Sequence, residues 1–76
     1  MMNKAIFEDK WKTIRSLTTA RWSLMADYDL AKVDKAEDKY GKFITMLQVK
    51  YGYSRQQARE EVNKLWMKYQ TQEGIA

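Results

Sequence analysis

Between Leu30 and Tyr51 the apolar positions Leu30, Val33, Tyr40, Phe43, Ile44, Leu47 and Tyr51 advance by threes and fours, with one step of seven and the adjacent pair Phe43-Ile44, the spacing that lines one face of an α-helix. Alternation by two, the mark of a half-buried strand, is absent. Asp27 or Asp29 can start this helix by accepting from free backbone N–H groups, and either carboxylate suits the positive end of the helix dipole. Gly52 is its predicted stop, because a glycine there can take the left-handed conformation that closes many helices. Immediately beyond, Ser54-Arg55-Gln56-Gln57 has the spacing of a capping box. It predicts a further helix with the face Ala58, Val62, Leu65, Trp66 and Tyr69, running to about Gln70 and frayed over Thr71 to Ala76. The N-terminal segment carries Phe7, Trp11, Ile14 and Leu17 and then Trp22 and Leu24, and reads as helix with a weaker stretch. Its weakest stretch is Ser16-Leu17-Thr18-Thr19, where a bend or a division into two shorter helices is expected.

The chain has no proline, and its three glycines are Gly41, Gly52 and Gly74, which leaves few signals for β-turns. Gly41 falls inside the long helix, where close packing or a kink would account for it. At 76 residues the chain has room for one domain. The expectation is an all-α single bundle of three to four helices, with a long central helix ending at Tyr51-Gly52.

Trp11-Lys12, then Trp22 eleven positions after Trp11, then Asp27-x-Asp29-Leu30, then Tyr51-Gly52-Tyr53-Ser54 with Ala58 and Glu61-Val62, together resemble the CsbD-like family of small bacterial general-stress proteins. The resemblance covers about residues 11–66. It departs from the family pattern at Ser16, where a glycine is usual, and at Ala26, where a threonine caps the next helix, which would move the cap to Asp27. The interval from Leu30 to Tyr51 is also nearly one helical turn longer than the pattern. The resemblance implies a small helical fold and a stress-associated role, with no catalytic site to carry over. Trp11, Trp22, Leu30, Tyr51, Gly52, Tyr53, Ala58 and Val62 are then structural positions.

Composition removes several chemistries. With neither cysteine nor histidine, thiolate and imidazole metal sites, disulfides, and Cys–His or Ser–His–Asp catalysis are excluded. Acid pairs such as Asp34/Asp38 or Glu60-Glu61 have no further ligands or glycine-rich loop beside them, so neither enzymatic activity nor a cofactor or metal is expected. No apolar run approaches the length of a membrane span or a secretory signal, so a soluble cytoplasmic protein is expected.

The net charge is +4, from 14 basic and 10 acidic residues. On one continuous helix Lys32, Lys35, Lys39 and Lys42 would form a stripe able to meet successive phosphates of a nucleic acid or another polyanion, or an acidic protein. Asp34 and Asp38 beside them would instead make an ordinary solvated face, with Asp38 pairing to Lys35 or Lys42. Aromatic rings among basic residues can stack on bases, but at helical spacing they are core. Tyr28, Tyr53 and Trp22 are the rings expected to be partly exposed. Met25, Met46 and Met67 could line a partner groove; a monomer is favoured over a homodimer.

Overall fold

The structure, a computed structural model, describes residues 2–75, with side chains described through residue 70. Among the described residues there are five helices and no strand: α1 (Lys4–Asp9), α2 (Trp11–Arg21), α3 (Asp27–Lys35), α4 (Lys39–Tyr51) and α5 (Arg55–Ile75). The fold is all-α, but the long segments of the sequence pattern are subdivided, giving five helices where three to four were expected.

The N-terminal division lies at Lys10, not at Ser16-Thr19. Asn3 caps α1 by accepting from the Ile6 N–H at 2.9 Å, and α2 then runs unbroken through the hydroxyl-rich stretch. Two of those hydroxyls are satisfied inside the helix: Thr18 donates to the Ile14 carbonyl at 2.8 Å and Ser16 to that of Thr13 at 2.7 Å, which removes their competition with the backbone. Beyond Arg21 the chain turns through an extended Trp22, at φ −128° and ψ 90°. That conformation directs the indole inward, leaving it 1% exposed, contrary to its expected place at the rim. Met25 is buried with it and so belongs to the core rather than to a partner groove.

The expected continuous helix from Leu30 to Tyr51 is two helices. α3 ends at Ala36, whose N–H bonds to the Val33 carbonyl in a tightened last turn. Asp38 then caps α4, its Oδ1 accepting from the Gly41 N–H at 2.9 Å. Gly41 is therefore in the first turn of a helix, not in the interior of one, and a Cβ there would overlap the Asp38 carboxylate. Its role is to leave room for that cap. At the start of α3 the N-cap position is Ala26, which has no side-chain oxygen to offer. Asp29 reaches back instead and accepts from the Ala26 N–H at 3.0 Å; Asp27 does not take over the cap. Gly52 ends α4 at φ 71°, and Ser54 accepts from the Gln57 N–H at 3.0 Å. α5 continues helical to Ile75. The expected fraying from Thr71 onward falls on residues whose side chains, and for Ala76 the backbone, lie outside the described set.

α4 is the central element, packed against α1, α3 and α5. Its Phe43 is fully buried and meets Phe7 of α1 at 5.3 Å between ring centroids, Trp11 of α2 at 5.8 Å and Trp22 at 5.7 Å. Leu30 and Val33 of α3, Ile44 and Leu47 of α4, and Ala58 and Val62 of α5 complete the interior. Rings in offset or edge-on contact at such distances contribute beyond the area they bury. α1 is short but tied at both ends. The buried Met2 donates its backbone N–H to Asn63 of α5 at 2.8 Å, and Glu8 accepts from the first N–H of α4, on Lys39, at 3.0 Å.

Candidate polyanion-binding surface

Dividing the central segment divides the lysine stripe. Lys32 and Lys35 project from α3, and Lys39 and Lys42 from α4. Lys32 lies with its ammonium 5.9 Å from the centre of the Tyr28 ring. Lys39 is engaged: its Nζ donates to the Ala36 carbonyl at 3.2 Å and stands 3.8 Å from Glu8. Lys35 and Lys42 are exposed and have no ion pair among the described residues.

The neighbouring carboxylates do not neutralise the lysines as their spacing suggested. Asp34 accepts from the Trp11 indole N–H at 2.6 Å and from the Arg15 guanidinium at 3.1 Å, bridging α3 to α2. The Trp11 bond is the main cause that holds its carboxyl below the ordinary 3.8, with Arg15 adding to it against a smaller effect of burial. Asp38 turns Oδ1 to both the Gly41 N–H and the Lys4 ammonium, the latter at 4.0 Å. Asp29 is 4% exposed and bonds Lys50 at 2.8 Å. Burial alone would raise that carboxyl, but the bonds from Lys50 and the Ala26 N–H outweigh it and keep the group below 3.8. The same bond is the first cause that raises Lys50 above 10.5. Glu61, on α5, serves both Arg21 at 3.2 Å and Lys64 at 3.7 Å.

Five carboxylates are thus committed to caps and to bridges, most of them between helices, and the cations they leave behind face outward. Two arginines that the sequence reading passed over join Lys42 on the α4–α5 hairpin. Arg55 reaches back to Thr45 at 3.3 Å and Gln48 at 3.0 Å. Arg59, one turn along α5, lies close enough to Tyr40 for its charge to act on the phenol, whose pKa is nonetheless raised above 10.0 by burial. Their signal was present in the sequence. Arg55 and Arg59 stand four apart, and Arg55 has no acidic residue three or four positions away; the same is true of Arg59. Such a set of exposed, unneutralised cations on two adjacent helices can meet phosphates without reading bases.

The aromatics are chiefly structural. Trp11 and Trp66 are each 6% exposed, and Tyr51 and Tyr53 stack at 5.6 Å across Gly52. Tyr28 is the outlier at 64% exposed, between the ammoniums of Lys32 and Lys50. Among the described residues no group of three or more acidic side chains is placed to hold a metal ion, and no helix is long and apolar enough to cross a membrane.

The positions that carried the family resemblance are placed as a shared framework would need: Trp11, Trp22, Leu30, Ala58 and Val62 are buried, and Gly52 is left-handed. No family profile matches the chain, and no solved structure does. A UPF0337 protein of Protochlamydia amoebophila is 38% identical over 61 residues, which cover 79% of this chain and 86% of the relative. A UPF0337 protein of Pseudomonas aeruginosa is 37% identical over 62 residues, 80% of this chain and 89% of that protein. Identity at that level over most of both relatives means that the chain belongs to the UPF0337 family, the CsbD-like group whose tryptophan and Tyr-Gly-Tyr pattern it carries.

Proposed function

We propose that this chain is a small, non-enzymatic, stress-associated protein of the cytoplasm that acts by binding, and that its partner is a nucleic acid held electrostatically without sequence preference. The stress association rests on the family resemblance. The observation that supports the partner is the exposed set Lys42, Arg55 and Arg59 on the α4–α5 hairpin, with no carboxylate paired to it among the described residues. Non-enzymatic action is favoured because the carboxylates with altered proton affinity, Asp29 and Asp34, are both held in bridges between helices.

Fluorescence anisotropy of labelled duplex DNA and single-stranded RNA, titrated with the protein at two salt concentrations, tests this reading. Three phosphate contacts give a logarithmic salt slope of about −2.7, hence a loss of about 40-fold in duplex affinity between ~50 and ~200 mM salt. Lys42→Glu with Arg59→Glu should bring the slope to about −1 without altering the helical circular dichroism. These two positions are better probes than Lys39, whose replacement would also break its contact with Glu8. Absence of binding at both salts retires the nucleic-acid reading and turns the search to acidic proteins.

A further inference from the structure

Between the C-terminal half of α2 and the second half of α5 lies an open groove of about 400 Å³. Leu17 and Ala20 of α2 and Leu65 and Tyr69 of α5 form its apolar walls; Arg21, Lys64 and Lys68 line it as well. We propose that this groove binds a small amphiphilic anion, an aliphatic or aromatic body carrying one carboxylate or sulfonate.

Charge argues for an anion. Arg21 and Lys64 share one carboxylate, Glu61, and Lys68 is exposed with no ion pair among the described residues. Among the described residues three cations against one carboxylate leave the rim two charges positive. The walls argue for an apolar body: Leu17 and Leu65 are half-buried where a packed helix pair would cover them, and Ala20 is exposed beside them. Size argues for a small molecule. The volume falls within the range of small-ligand sites, and each wall is little more than one helical turn long, too short for a partner helix that anchors over two. A second copy of the chain is a poor occupant because it is itself basic, with a net charge of +4.

The groove is separate from the α4–α5 cations, so this inference stands or falls independently of the nucleic-acid reading. The test is a titration of the intact protein with decanoate, followed by amide chemical shifts, beside a parallel titration with decanol. Decanoate should saturate with a Kd at or below about 1 mM, a scale open to a ligand of about a dozen heavy atoms. The shifts should concentrate at Leu17, Ala20, Leu65 and Lys68, and decanol should bind at least about tenfold more weakly. Lys68→Glu should weaken decanoate about tenfold, and Ala20→Phe should abolish binding by filling the groove, while Lys42→Glu leaves it unchanged. Equal binding of decanol, shifts centred elsewhere, no saturation, or an unaltered Lys68→Glu variant would each overturn the proposal. The exposed Lys68 keeps the test decisive if Ala20→Phe perturbs the fold.

Discussion

Phe43 touches rings from three other segments, Phe7, Trp11 and Trp22, and is wholly enclosed. Truncating it removes apolar burial and the shared edge of those three rings at once. Phe43→Ala is expected to cost about 3–5 kcal/mol, against a total stability on the order of 4–11 kcal/mol for 76 residues. Urea unfolding should report a much lower midpoint for this variant, whereas Tyr28→Ala, at the exposed ring, should stay within about 0.5 kcal/mol of the parent. Burial of this kind was mostly legible in the sequence: Phe43, Ile44, Leu47, Ala58, Val62 and Trp66 all sit at helical spacing. Trp22 was not. It follows the last residue of α2, where side-chain direction depends on the local φ and ψ rather than on helical period. The inward turn also leaves its indole N–H buried without a hydrogen-bond partner among the described residues, a cost that burial of the large ring has to exceed.

At the level of the helices, the break at 36–38 was written in the sequence as Asp38-x-x-Gly41, a cap followed three residues later by a residue with no Cβ to obstruct it. The apolar period ran through it undisturbed, because the step from Val33 to Tyr40 spans seven residues and a helical face repeats after seven. Period alone therefore could not locate the boundary. The cap makes the effect of Gly41→Ala depend on its neighbour. In the parent the helix-propensity gain of about 1 kcal/mol should be cancelled by displacement of the Asp38 carboxylate. In an Asp38→Ala background, with no carboxylate to displace, the same change should stabilise by about 1 kcal/mol. A double-mutant cycle in urea checks this, and strict additivity would contradict the account. The caps at Gly52 and Ser54 were legible since each needs its own residue type at one position, although of the expected capping box only the bond from the Gln57 N–H to Ser54 Oγ is formed among the described residues. Ala26 misled because its cap is supplied by Asp29, whose carboxylate reaches back from inside the helix.

Across the whole molecule, carboxylates turned inward hold helices together by binding Lys39, Lys50, Arg15 and Arg21, which makes stability pH-dependent at both ends. Asp29 and Asp34 are more acidic in the folded chain than their ordinary 3.8. The unfolded chain therefore takes up protons first, and the stability these groups contribute is intact above that value and lost as pH falls through their folded values. Lys50 and Tyr40 are shifted upward from 10.5 and 10.0, so what they contribute is lost as pH rises through theirs. Urea midpoints should be flat between about pH 5 and 9 and decline on either side, and Asp29→Asn with Asp34→Asn should flatten the acid limb. The same inward use of carboxylates explains why the candidate surface was only half legible. Lys42 was found, but Lys39 was counted as free because Glu8 is 31 positions away from it. Arg55 and Arg59 were missed because the apolar face of α5 drew the reading to its other side. Distance along the chain also has a consequence for how the molecule is made. Met2 is fastened to Asn63, 61 residues later, and a six-residue helix such as α1 does not hold its shape unaided. At synthesis rates of about 5–20 residues per second, some seconds pass between the emergence of the two. During that interval the start of the chain is unfastened, and the cover of Phe7 rests on Trp11, Tyr40 and Phe43, which all precede α5.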